Sequence, residues 1–102
     1  MKRLIDVMRA LRAPDGCPWD KKQTLESLTS CLLEESHESI DAILEDEPAK
    51  ISEELGDMLS IIAMMCVIGE ERGIFTKKDV VGGAVRKMKH RHPHVFSSGR
   101  AA

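Results

Sequence analysis

From Met58 to Ile68 the chain is apolar nearly all the way round a helix, interrupted only by Ser60 and flanked by Asp57 and Glu70. A helix without a polar side must be covered on several faces, so it is either the centre of a bundle or half of a subunit interface. It spans 11 residues, too few to cross a bilayer. The material available to cover it is aliphatic: Trp19, Phe75 and Phe96 are the only aromatics besides four His, and there is no Tyr. Such a core favours helices over a β-sandwich.

Turn chemistry divides the 102 residues into four helical segments. Lys2 to Arg12 places Leu4, Ile5, Met8 and Leu11 at helical spacing and stops at Ala13-Pro14-Asp15-Gly16. After Cys17-Pro18-Trp19, Asp20 and Gln23 offer a capping box for a second helix from about Lys21 to about Asp46, with Leu25, Leu28, Leu32, Ser39 and Ile43 as its inner stripe. A third helix begins near Pro48 and ends around Arg72, with Gly73 as its left-handed cap. Thr76 and Asp79 start a fourth, whose apolar face is Val80, Val81, Ala84, Val85 and Met88 and which ends at Pro93; Gly82 and Gly83 weaken it. The expected architecture is all-α, a four-helix bundle-like domain over residues 1–96, with 97–102 as a flexible tail. A domain this small buries roughly 65 % of the surface its unfolded form exposes, so assembly into an oligomer would extend its core.

Three cysteines, Cys17, Cys31 and Cys66, form no CxxC pair, and Cys31 and Cys66 fall in apolar helical stretches. The expectation is a reduced, cytoplasmic protein without a disulfide framework. Asp6 and Arg9 break the apolar pattern that a signal peptide needs, and no membrane association is expected.

A formal net charge of −2 argues against a nucleic-acid polymer as partner but conceals strong segregation. Between Glu34 and Asp57 ten acids face a single base, Lys50; from Arg86 onward there are five bases, three His and no acid. A charge run on a helix is usually a solvated face. Here the register says otherwise. Steps of three and four from Leu28 meet Leu32, Glu35, Ser39 and Ala42, with Glu38 one turn beyond Glu35. The same steps back from Ile68 meet Met65, Ile61, Asp57 or Met58, and Glu54. Antiparallel packing of the two helices would gather Glu35, Glu38, Glu54 and Asp57 at one end of the bundle. Four carboxylates there raise one another's pKa unless a cation neutralises them, and a hard divalent ion, Mg²⁺ above all, suits an all-oxygen site that also takes phosphates.

The basic segment reads either as helix-dipole partners or, beside such a metal site, as a grip on phosphate oxygens. His90, His92 and His94 alternate around Pro93 in a spacing that does not suit zinc. Trp19 reads as a lid on a small core, or as a ring that stacks on a base or wedges into a partner subunit.

Four ordered motifs carry a resemblance: Cys17-Pro18-Trp19-Asp20-Lys21-Lys22-Gln23-Thr24; Leu33-Glu34-Glu35-Ser36-His37-Glu38 followed by Asp41-Ala42-Ile43; Glu53-Glu54-Leu55-Gly56-Asp57; and Arg91-His92-Pro93-His94-Val95-Phe96. Together they resemble the MazG family of nucleoside triphosphate pyrophosphohydrolases over about residues 1–96. The resemblance implies an all-α NTP pyrophosphatase fold interlocked as a homodimer or dimer of dimers. It implies Mg²⁺-dependent cleavage of a nucleoside triphosphate between the α- and β-phosphates, to the monophosphate and pyrophosphate, with Mn²⁺ able to substitute.

By that resemblance Glu35, Glu38, Glu54 and Asp57 are the metal ligands, Glu34 and Glu53 are accessory acids, and Lys87 and Arg91 contact phosphates. Glu34 or Glu38 would take the proton from the attacking water. Trp19 joins the substrate-binding set, and nucleotide-pool house-cleaning is the expected role. The family usually has His where this chain has Leu25, often His-Ala at Met65-Cys66, and commonly Arg at His90; none of these departures touches the four carboxylates. Two alternatives stand beside this reading: a phosphoribosyl-ATP or dUTP-type pyrophosphohydrolase, or a non-catalytic helical dimerisation or regulatory module.

Overall fold

A computed structural model describes residues 1–97; the expected flexible tail otherwise lies outside the described residues. Six helices follow in order: α1 (Lys2–Arg12), α2 (Pro18–Lys22), α3 (Thr29–Leu44), α4 (Pro48–Glu71), α5 (Lys77–Arg91) and α6 (Pro93–Phe96). No strand occurs among the described residues, so the all-α expectation holds.

The expected second helix from Lys21 to Asp46 is in fact two. Asp20 does not cap it: Asp20 lies inside α2, which Cys17 precedes and Pro18 starts, and the Gln23 amide donates to Trp19 O at 2.9 Å instead. The break lies in the hydroxyls that follow. Thr24 N donates to Ser27 Oγ at 2.8 Å, Ser27 N donates to Thr24 Oγ1 at 3.0 Å, and Ser27 Oγ donates to Gln23 Oε1 at 2.8 Å. These side chains meet backbone groups that a continuous helix would pair with itself, and α3 begins only at Thr29.

At its other end α3 stops at Leu44, two residues before the expected end, and Asp46 adopts φ 55 in the left-handed region. The whole connection to α4 is Glu45, Asp46 and Glu47, after which Pro48 occupies the first helical turn. α3 and α4 are therefore packed neighbours joined by a three-residue turn.

Gly73, at φ 68, closes α4 as expected: Ile74 N donates to Gly69 O and Gly73 N to Glu70 O, the paired bonds of a Schellman ending. Gly69 also leaves room for the Phe75 ring, which a Cβ there would strike. Thr76 and Asp79, the expected start signals of α5, form a capping box there, and α5 continues through Gly82 and Gly83 without a break. Beyond the expected end of that helix, a single short turn of helix forms with Pro93 at its first position.

The core lies between α1 and the second half of α4: Ile5, Met8, Leu28, Ala63, Met64, Cys66, Val67 and Ile68 are all buried. Cys66 is thus a core residue, Cys31 packs against that core, and all three cysteines are free thiols. Ile43 is not on the inner stripe of α3; it is 53 % exposed, and Ala42 takes its place. α5 packs on α4 and α6 but on neither α1 nor α3, so its apolar face of Val80, Val81, Ala84, Val85 and Met88 stays exposed. No helix among the described residues is long and apolar enough to cross a membrane.

Candidate active site

The buried stripe of α3 passes from hydrocarbon to polar side chains as Leu28 gives way to Glu35 and Ser39, both largely buried. Across from it, Glu54 occupies the inner face of the first half of α4 and is equally buried. Carboxylate oxygens of Glu35, Glu38 and Glu54 lie within 4.8 Å of one another, and so do those of Glu53, Glu54 and Asp57. Glu54 belongs to both groups. The antiparallel packing therefore brings all four sequence-derived ligand candidates to one place, and Glu53 stands with them.

The electrostatics record an assembly of like charges. Burial is the largest influence pushing the Glu35 and Glu54 carboxyls above the ordinary glutamate range. Glu38 is also pushed up, first by its hydrogen bond with Glu54, then by the Glu54 charge. Lys50, the sole base in the acidic stretch, pairs with Glu45 at 3.1 Å. Glu35 Oε2 and Ser39 Oγ are buried without a hydrogen-bond partner among the described residues. A buried, unpartnered carboxylate oxygen beside two further carboxylates is a costly arrangement, and a divalent cation would relieve it. The donor set is oxygen alone, which suits a hard ion such as Mg²⁺ or Mn²⁺ and not zinc. The residues present are compatible with a divalent cation.

Beside the cluster, Glu34, Glu35, Glu38 and Asp57 line a cleft of about 290 Å³ together with Cys31, Ser60 and Ile61. Those last three residues also border an apolar slot of about 150 Å³ walled by Trp19, Met8, Leu28 and Met64. An acidic cleft thus adjoins an apolar one, a layout suited to a ligand with a charged end and a flat apolar end. Trp19 is 56 % exposed, so it forms a wall and does not plug the core. Lys87 and Arg91 line neither cleft, in keeping with α5 lying away from α3. His92 and His94 rings sit 5.8 Å apart, and no His joins a group of potential metal ligands among the described residues.

One contributor left no trace in periodicity. Arg12, at the end of α1, donates from Nε and Nη2 to Glu71 at 2.9 and 2.8 Å and from Nη1 to Asp20 O at 2.7 Å and Gln23 O at 2.9 Å. An LR dipeptide before a Pro-Gly turn gives no sign of this, because its partners lie on two other elements.

The fold is an all-α domain with clustered carboxylates between two helices, an arrangement compatible with a divalent metal. The MazG nucleotide pyrophosphohydrolase domain matches residues 23–96, and the chain belongs to this family. It is 46 % identical over 95 residues to the nucleoside triphosphate pyrophosphohydrolase/pyrophosphatase MazG of Thermotoga maritima, covering 93 % of this chain and 37 % of that protein. It is 38 % identical over 100 residues to the nucleoside triphosphate pyrophosphohydrolase of Escherichia coli K12, covering 97 % and 38 % respectively. Against the uncharacterized protein YabN of Bacillus subtilis the identity is 49 % over 90 residues, 88 % of this chain and 18 % of that protein. The chain thus spans well under half the length of these relatives.

Proposed function

We propose that this chain is a nucleoside triphosphate pyrophosphohydrolase that releases the monophosphate and pyrophosphate, with a house-cleaning role in the nucleotide pool. The observation that carries this reading is the Glu35–Glu38–Glu54 cluster with its buried, unpartnered Glu35 oxygen. Family membership and relatives named for this activity support it.

Glu35, Glu38, Glu54 and Asp57 would hold Mg²⁺, with Mn²⁺ able to substitute and Glu53 as an accessory acid. When bound, the metal supplies Lewis-acid polarisation of the phosphate oxygens and a more acidic water. Glu34, exposed on the wall of the cleft, or Glu38 accepts the proton as the water oxygen bonds to the α-phosphorus. The bond from that phosphorus to the bridging oxygen breaks, and pyrophosphate leaves. Trp19 and the apolar slot take the nucleoside end by stacking and exclusion of water.

Lys87 and Arg91 would offset charge on the departing phosphates, and in one chain they lie on a helix that does not pack against α3. Leu33, Ile40 and Leu44 on α3 are 62 %, 52 % and 78 % exposed, as an interlocked homodimer or dimer of dimers requires. Three free thiols accord with a cytoplasmic setting. The deciding experiment is a Mg²⁺-dependent assay across canonical and modified NTPs and dNTPs with product identification. Monophosphate and pyrophosphate in equal amounts support the reading; diphosphate plus orthophosphate, or no turnover of any substrate, overturns it.

A further inference from the structure

The backbone of α2, which carries Trp19, packs on α1 and on no other helix, whereas the carboxylates stand on α3 and α4. The wall of the apolar slot is therefore placed relative to the acidic cleft through ties that reach beyond α2. Four of the hydrogen bonds that make these ties converge on one side chain. Arg12 binds Glu71 of α4 through two donors and, through a third nitrogen, the carbonyls of Asp20 and Gln23.

Those two carbonyls belong to the C-terminal end of α2, where carbonyls face outward and a cation is favoured; Asp20 O also accepts from Gln23 N at 3.3 Å. Gln23 in turn donates from its side chain to Trp19 O at 2.9 Å. The Arg12 side chain is only 11 % exposed, and four of its five N–H donors are accounted for. The neighbouring pair, Arg9 with Glu70 at 2.8 Å, also joins α1 to α4 but makes no bond to α2. Arg12 is thus a three-way joint where Arg9 is a two-way one.

We propose that Arg12, held by Glu71, is a positioning residue for substrate specificity: it sets the Trp19 wall of the nucleoside slot at a fixed distance from the carboxylates. This rests on the pyrophosphohydrolase reading for what the slot receives, but not for the joint itself. Lysine cannot reproduce the joint, since a single ammonium cannot serve a carboxylate through two parallel bonds and two carbonyls at once.

The test uses the sole tryptophan as its own reporter. In Arg12→Lys, measured without metal or nucleotide, acrylamide quenching of Trp19 emission rises, while far-ultraviolet circular dichroism and Mn²⁺ affinity stay at wild-type values. The KM for a nucleoside triphosphate rises about tenfold, equivalent to about 1.4 kcal/mol, with kcat changed by less than about twofold. The exchanged pair Arg12→Glu with Glu71→Arg restores the α1–α4 ion pair but puts an acceptor where the two carbonyls need a donor. It should therefore recover thermal stability without recovering the quenching constant or KM.

If the exchanged pair recovers all three, the ion pair alone is at work and the proposal is overturned. Unchanged Trp19 quenching in Arg12→Lys overturns it equally. Wild-type protein that turns over no nucleoside triphosphate defeats the functional reading instead, and the quenching comparison still decides whether Arg12 places Trp19.

Discussion

The two ends of α4 carry the same kind of residue in opposite circumstances. At the C-terminal end, Glu70 and Glu71 each meet an arginine of α1 at 2.8 Å, and Arg12 holds the Glu71 carboxyl below the ordinary glutamate range. At the N-terminal end, Glu54 meets two more glutamates, and its carboxyl is pushed upward by burial. Paired acids fasten one helix to another. Unpaired acids facing one another cost stability in the metal-free protein, and a fold keeps such a cluster when a ligand compensates it. Both ends carry neighbouring acids; a direct ion pair with an arginine separates them.

The sharpest way to break this contrast is at the unpaired end. Glu38→Ala or Asp57→Ala should reduce pyrophosphate release from dNTPs to the limit of detection, a loss of at least about 10³-fold or about 4 kcal/mol of transition-state stabilisation. Retained turnover in either variant would remove these two residues from the site.

Next in size is the metal itself. At free Mg²⁺ about a hundred times its Kd, linkage adds about 2.7 kcal/mol to stability, read as a rise in melting temperature that EDTA reverses. A rise no larger than NaCl gives at equal ionic strength would leave the cluster as a solvated acidic face, the reading appropriate to a regulatory module.

Glu54→Gln should then raise the melting temperature of the metal-free protein, because the charge common to both carboxylate groups is gone, and should erase the response to Mg²⁺. A lower melting temperature without metal would mean that Glu54 is stabilising where it stands.

The smallest effect belongs to the paired end. The Glu71 carboxyl titrates lower in the folded protein than unfolded, so its contribution is fully present above the ordinary glutamate pKa and fades as pH falls through the depressed value. The Glu71 side chain is 44 % exposed, so solvent screening keeps that contribution below about 1 kcal/mol. Glu71→Gln should flatten the acid limb of stability against pH by that amount, measured by urea unfolding between pH 3 and pH 5, about where glutamate titrates.

What could be read in advance follows the range of the interactions involved. α1 is legible to the residue, as are the Gly73 ending and the Thr76–Asp79 start, because each depends on neighbours within a turn. The candidate ligands are legible for the same reason: a 3.6-residue period places Glu35 and Glu54 on inner faces before any partner helix is known. The break between α2 and α3 was hidden because apolar spacing continues through Leu25 and Leu28 while the backbone follows the hydroxyls of Thr24 and Ser27. Arg12 was hidden more deeply. Its bonds reach residues 59 positions away and across a turn, and nothing local announces them. The separation of α5 from α3 belongs to the same class, since sequence gives the helix and its charges but not what it leans on.

The three-residue turn between Leu44 and Pro48 has a consequence for how this domain can vary. It acts as a phase lock between two screws: Glu35 and Glu54 meet only while both helices keep their rotational setting. One residue inserted inside α4 ahead of Glu54 would turn that carboxylate by about 100° and point it away from its companions. The same residue inserted beside Asp46 would lengthen the link at little entropic cost and leave the phase of each helix intact. Length changes in a domain of this design are therefore expected in the link between its acidic motifs and not within either motif.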